Sequence, residues 1–329
     1  TDLYTRGSFR FGVNSNYKKR YKYNGGININ FSKTKLGEKY RNDFSQNNDF
    51  SIKWNHQEDP KLRPNSRFSA SVNIASSSYS QNNLYSNDYL QNSLSSNINW
   101  RKKWEGKPFN LSLTLRHSQN TLTKQVDLTI PEINFNTGRQ KLFNKSNKSS
   151  FLSNLGFSYS VNSRTQLSRP DSLLFNNINK NIKSGVKHSI PISTSFNLFN
   201  YLNISPSLNY TERWYFKKNI QNWNDNLNEI YSDTLTGFYQ LRDFNLSINA
   251  STKLYGILDF RKKTFRHVIT PSISFSYHPD FSNEFWEIYS NVQNDSIGNQ
   301  EIYSHYNGSI YGFPRAGKFG NVSFSLRNN

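Results

Sequence analysis

Neither cysteine nor methionine occurs in the 329 residues. The lack of Cys excludes a disulfide framework and any thiolate metal site within the chain, whatever the redox state of its compartment. The lack of Met means that Thr1 is no initiator, and the chain is expected to be a fragment or a processed product. Acids are scarce as well: 22 Asp and Glu stand against 41 Lys and Arg, a formal net charge of +19, so a charged partner must be anionic. Apolar residues make up 34%, below the ~45–50% of soluble globular domains, and a thick conventional core is not expected. No run of about 18 apolar residues exists, which excludes a spanning helix. The mean hydropathy of −0.81 leaves spanning strands open. Such a strand needs only ~10 residues and alternates apolar with polar, which averages to hydrophilic.

Catalytic and cofactor signatures are absent too. There is no G-x-S-x-G, no P-loop and no HExxH. His56, His117, His188, His267, His278 and His305 occur singly, without the spacing of a metal site. No catalytic residue, metal or cofactor is therefore expected, and the chain reads as a non-enzyme. No repeat at a fixed period suggests a solenoid. The cations are scattered rather than gathered on a helix, so nucleic acid is not the expected partner.

What the chain does contain is alternation. Asn and Ser supply 94 residues and aromatics 16%, and the two kinds interleave with period two. Phe9, Phe11 and Val13 share one parity; so do Tyr21, Tyr23, Ile27, Ile29 and Phe31, with Lys22, Asn24, Asn28 and Asn30 between them. The pattern returns at Phe50/Ile52/Trp54, Phe68/Ala70/Val72/Ile74, Phe109/Leu111/Leu113/Leu115, Phe244/Leu246/Ile248 and Val322/Phe324/Leu326, among others, with a weaker strand near 301–312. One apolar face and one wet face result, and about 14 strands are expected. Short connections near 18–20, 57–66, 101–108, 200–201, 261–264 and 313–318 alternate with longer ones near 33–48, 77–93, 163–184, 217–240 and 278–300. Those near 118–125 and 136–150 fit less well. Short turns on one side and long loops on the other are the layout of an outer-membrane barrel.

That many strands with Asn, Ser, Thr, Arg and Lys on one face cannot all bury those faces against each other, whereas a water-filled lumen keeps them wet. Lipid covers the other face, and closure removes unpaired edges. The expected fold is thus all-β, a large antiparallel transmembrane barrel, incomplete here, with residues 1–329 as one segment of it. Trp54, Trp100, Trp104, Trp214 and Tyr215 are expected in interfacial girdles. A soluble β-sandwich would also alternate, but it explains neither the loop lengths nor the low apolar content.

Four prolines interrupt good strands: Pro131, Pro191, Pro206 and Pro271. Each removes a ladder donor and either weakens a seam or marks a bulge. At Pro131 the apolar parity changes from Val126/Leu128/Ile130 to Ile133/Phe135, as one inserted residue would cause. Cations at Lys18, Lys19, Arg20, Lys102, Lys103, Arg261, Lys262 and Lys263 fall in short connections, where they meet water and headgroups. Arg10, Lys53, Arg116, Lys187 and Arg213 fall on polar strand parity. They can either bind the phosphates or carboxylates of an anion or keep the lumen wet.

The segments YKKRYKYNGGININFS (17–32), HQEDPKLRPNSRFSASVN (56–73), LRHSQNTLTKQVDLTIPEINFN (115–136), KHSIPISTSFNLFNYLNISPSLNYTERWYF (187–216) and FRHVITPSISFSYHPDF (265–281) resemble the barrel of the LptD family, the lipopolysaccharide-assembly proteins of the outer membrane, in its Asn-rich branch. The resemblance implies a non-catalytic translocon in the cell outer membrane of a Gram-negative-type bacterium. It further implies lipopolysaccharide as cargo, a periplasmic lipopolysaccharide-transport bridge as donor, an LptE-like plug lipoprotein, outer-membrane lipids around the barrel, and sideways exit through a weak strand seam. The family's periplasmic jellyroll has no counterpart here and the strand count is low, so an internal piece of the barrel is expected. The family's disulfides cannot form from these residues. Other readings are a porin, a nutrient transporter, or a barrel-borne lipid hydrolase.

Overall fold

The computed structural model describes residues 1–4, 7–79, 92–143, 151–260 and 263–328. Much of the expected loop near 77–93, part of the connection near 136–150, and the turn cations Arg261 and Lys262 lie outside the described residues. The strands are β1 (Asp2–Leu3), β2 (Phe9–Lys19), β3 (Tyr23–Leu36), β4 (Ser45–Glu58), β5 (Ser66–Ala75), β6 (Ser93–Lys103), β7 (Phe109–Asn120), β8 (Gln125–Thr137), β9 (Gln140–Lys141), β10 (Gly156–Phe157), β11 (Ser160–Pro170), β12 (Lys183–Ser193), β13 (Phe196–Leu198), β14 (Leu202–Asn224), β15 (Glu229–Ser251), β16 (Leu254–Phe260), β17 (Lys263–His278), β18 (Tyr289–Gln293), β19 (Gln300–Ser304) and β20 (Phe319–Asn328). Eighteen belong to antiparallel sheet, and β18 with β19 forms a separate hairpin. A single-turn α-helix, α1, lies at Ile178–Asn181. The fold is all-β, of the outer-membrane barrel type.

Two compact units can be described. The first comprises Thr1–Phe135 and Ser163–Ser184. In it the meander from β2 to β7 keeps the two faces apart, rung by rung. Phe11, Phe31 and Phe50 are register partners, as are Val13, Ile29, Ile52 and Ile74. On the other face, the rung of Asn16, Gly26, Asn55, Ser71, Asn97 and Arg116 is polar or small across six strands. The apolar rungs are left exposed at Phe11, Val13, Phe31 and Phe50, the reverse of what water would select.

Near the short turns of this unit lies an aromatic group. The Tyr17 hydroxyl accepts from Trp54 Nε1 at 2.9 Å and lies 2.9 Å from His56 Nδ1. The rings of Tyr23 and Phe68 pack, tilted, with centroids within 5.7 Å of the His56 ring. Gly25 makes room for it, because a Cβ there would lie 2.4 Å from the Tyr17 hydroxyl.

The second unit comprises Asn136–Asn162 and Gly185–Asn329. Its backbone is the hairpin of β14 and β15, 23 residues each. At ~3.3 Å per residue each strand runs about 75 Å, well past the ~10 residues that cross a bilayer. Here the structure corrects the sequence reading. Most of the expected loop at 217–240 is ladder, and only 225–228 turn. The Asn224 side chain makes that turn by accepting from the Asn226 N–H at 3.0 Å, a local bond that Asn offers the backbone without a loop of its own. Likewise 118–125, expected as a connection, continues β7 to Asn120 and leaves four residues of turn.

β17 pairs directly with β20, His278 opposite Phe319, yet residues 279–318 lie between them in the chain. Adjacent antiparallel strands need a turn of only a few residues. The extra chain folds onto β14 and β15 instead. Phe281 (0% exposed) and Ile288 (1%) form a core with Tyr306, Tyr215 and Leu241. Tyr215 donates to Gly312 O at 2.6 Å, Tyr289 to Pro314 O at 2.6 Å, and the Asn219 N–H to His305 O at 2.9 Å. Tyr215 is therefore no girdle residue: period two sets it on the polar face, opposite its neighbour Trp214, where this segment buries it. The expected strand near 301–312 reduces to β19.

Candidate functional site: a cationic polar face and three proline breaks

The polar face of the first unit deepens into a groove of about 360 Å³ lined by Arg67, Arg101, Arg116, Asn97, Asn99 and Asn134, with Ser and Thr between them. Register explains its composition: Arg67, Arg101 and Ser112 form one rung, Ser69, Asn99 and Thr114 the next, and Ser71, Asn97 and Arg116 a third. Arg116 Nη1 lies 3.1 Å from Glu132, whose other oxygen meets Arg164 Nη2 at 2.8 Å. Glu132 itself is only 4% exposed. Two guanidinium groups around one carboxylate leave a net positive charge with donors to spare.

The other expected lumen cations are also on polar parity. Arg10 shares a rung with Ser32 and the buried Asp49. Lys53 stands between Asn28 and Asn73. Lys187 and Arg213 are register partners in the second unit, and Arg213 is held by Asp243 at 2.7 Å. Of these five residues only Arg116 lines this groove. Arg67 and Arg101 were missed by the sequence reading. Arg101 was set in a turn, although β6 runs on to Lys103; the alternation of Asn97, Asn99 and Arg101 is the signal that places it.

Three of the four prolines coincide with interruptions of the neighbouring strand. Pro206 lies in β14, and across from it the chain breaks between β12 and β13, where Ser193 pairs with Ser207 and Phe196 with Ile204. Pro271 lies in β17 opposite the gap between β15 and β16, bracketed by Ser251 with Ser272 and Leu254 with Ile269. Pro191 lies in β12 opposite the gap between β10 and β11, next to the pairs of Phe157 with Ile192 and Gly156 with Ser193. At each break one bond survives, into the proline carbonyl: Thr194 N–H to Pro206 O, Thr252 N–H to Pro271 O and Ser158 N–H to Pro191 O, all at 3.2 Å. The missing proline N–H accounts for the missing return bond. Pro131 lies within the unbroken β8, between exposed Ile130 and buried Glu132.

Over its whole length, residues 1–329, the chain matches the family model described as LptD protein. The chain belongs to the LptD family. No individual curated protein matches it. Members of the LptD family serve lipopolysaccharide transport and assembly at the outer membrane as non-enzymatic components, with lipopolysaccharide as substrate and the other parts of the transport system as partners. No helix among the described residues is long and apolar enough to cross a membrane. No cluster of three or more His, Asp or Glu among them is placed to hold a metal ion.

Proposed function

We propose that this LptD-family chain is barrel wall of a translocon that inserts lipopolysaccharide into the outer leaflet. The phosphorylated, carboxylate-bearing sugar head follows the polar face past Arg67, Arg101 and Arg116, while the acyl chains leave sideways between strands. The observation that carries this reading is the set of proline breaks. Each lacks one ladder bond beside an exposed apolar face, so parting the strands there costs less than along an intact ladder, where each bond is worth about 1 kcal/mol. No covalent step is required. A plug lipoprotein of the LptE kind fills the rest of the lumen, and a periplasmic bridge delivers the cargo, as the family membership suggests.

The test is photo-crosslinking in cells. A crosslinker placed at Arg67, Arg101 or Arg116, and in separate variants at Arg10, Lys53 or Lys187, is expected to capture lipopolysaccharide during export. Normal export with capture at none of them contradicts the cationic route. A second reading, a porin, draws on the segment 279–318 packed against the polar face of β14 and β15, as a constricting loop would be. It predicts that the protein alone passes small sugars into liposomes at porin-like rates, which a plugged translocon does not.

A further inference from the structure

On the apolar face of the second unit one rung is out of character. His188, Glu212 and Arg242 are register partners across β12, β14 and β15. The rungs to one side of it are Ile190, Tyr210 and Phe244, then Ile192, Leu208, Leu246 and Tyr277. A carboxylate on a lipid-facing surface is costly to keep there without compensation.

Compensation is partial. Glu212 accepts from the Tyr210 hydroxyl and from Trp214 Nε1, each at 2.6 Å. Its separation from Arg242 Nε is 3.7 Å, with the Arg242 side chain 54% exposed and that of Glu212 17%. The comparison is Arg213 with Asp243 on the opposite face, closed to 2.7 Å and largely buried. The outward pair is thus held open. Two carboxylate oxygens offer about four acceptor sites and use two; the Arg242 fork donates to Gln240 at 2.8 Å and keeps its other donors. His188 adds a nitrogen: Nδ1 lies 2.7 Å from the Tyr159 hydroxyl, and Nε2 is buried with no hydrogen-bond partner among the described residues.

Beside this rung, on the same face, is an apolar groove of about 320 Å³ lined by Ile192, Leu208, Leu246, Ile248 and Phe275, with Phe151 also on its wall. Leu208 is four residues from Glu212 along β14, about 13 Å at strand rise. That is the distance from a lipid headgroup to the upper part of its acyl chain.

We propose that the His188–Glu212–Arg242 rung and this groove form a binding site for one membrane phospholipid with a phosphate-plus-amine headgroup. The ammonium bonds Glu212, the phosphate bonds Arg242 and His188 Nε2, and one acyl chain fills the groove. Charge complementarity selects the class. A purely anionic headgroup satisfies Arg242 but faces Glu212, and an uncharged one offers neither ion a charged partner beyond their own 3.7 Å pair. The proposal needs the membrane placement of this face but not the export route, so failure of lipopolysaccharide crosslinking leaves it standing.

The test is native mass spectrometry of the full chain in mixed micelles containing equal phosphatidylethanolamine and phosphatidylglycerol. One phosphatidylethanolamine is expected to persist through delipidation. Glu212→Gln and Arg242→Gln are each expected to lower its retention about tenfold, the loss of one charge-assisted bond. Leu246→Trp, which fills the groove and leaves the rung intact, is expected to do the same. Should Glu212→Gln fail to fold, Arg242→Gln and Leu246→Trp decide, since both positions are partly exposed. Equal retention of the two lipids, or unchanged retention in those two variants, overturns the site; lipopolysaccharide held there with the same variant sensitivity overturns the lipid class.

Discussion

Glu132 is the residue on which the polar groove turns. It is buried beside the groove and carries two arginines from neighbouring strands, Arg116 and Arg164. Removing one member of such a group leaves the others desolvated and unpaired, at about 3–5 kcal/mol for a fully buried set. Since Arg116 is half exposed, Glu132→Ala is expected to cost about 3 kcal/mol, seen as a lower urea midpoint for folding into lipid vesicles. An unchanged midpoint would mean that the arginines find water or other acceptors at no cost. This cluster was only half legible in the sequence. Arg116 declares itself by parity, but Glu132 follows Pro131, where parity shifts, and simple alternation gives the wrong face. Arg67 and Arg101 were hidden differently: they lie near the ends of β5 and β6, and parity assigns them a face only once the strands are known to extend through them.

At the scale of elements the prolines were legible and their effect was not. Sequence shows that Pro206 lacks a donor; it does not show that the neighbouring chain stops pairing across from it, since that depends on register. Replacing Pro206 by Thr supplies the donor. The variant is expected to join β12 and β13 into one strand, slow amide exchange at Thr194 and Ser195 severalfold, and reduce lipopolysaccharide export. Unchanged exchange with unchanged export would make the break incidental.

The segment 279–318 was read as a long loop, a weak strand near 301–312 and a turn; the apolar residues of its first half follow no period, which is how chain behaves when it packs as irregular structure rather than as strand or helix. Its stability should depend on acidity through His305. Burial among Tyr306, Ser290 and chain at Asn219 lowers the pKa of this imidazole from its ordinary value of 6.5; the Asn219 carbonyl opposes the shift and Lys218 adds to it. Nδ1 donates to Asn219 O at 3.1 Å, and Ser290 then donates to Nε2 at 2.9 Å, an arrangement of the neutral ring. A folded state that binds the proton less well than the unfolded one is fully stable above the ordinary value and loses stability as pH falls below it. Protection factors over residues 286–306, taken relative to the intrinsic amide exchange rate at each pH, are expected to fall below pH 6.5, and His305→Gln to flatten that dependence. Pro206→Thr should leave it intact.

For the whole molecule, the sequence revealed the fold class because each strand repeats the same two-residue code. Val13, Ile29, Ile52 and Ile74 were assigned one parity strand by strand and prove to be a single rung. Hidden from it was everything that depends on which strands meet: the groove, the proline breaks, the lipid-facing ion pair. The central claim is that the apolar face meets lipid and the polar face meets water. Because the chain has no cysteine, single cysteines report on this without background. The most direct measurement is labelling by a membrane-impermeant maleimide of cysteines at Asn14, Asn28, Ser274 and Ser323 on the polar face, and at Val13, Ile29, Phe275 and Phe324 on the apolar face, in the assembled outer membrane. Labelling of the first four, with the second four protected until detergent is added, is the predicted result. Equal labelling of both sets, or protection of the polar set alone, contradicts the account.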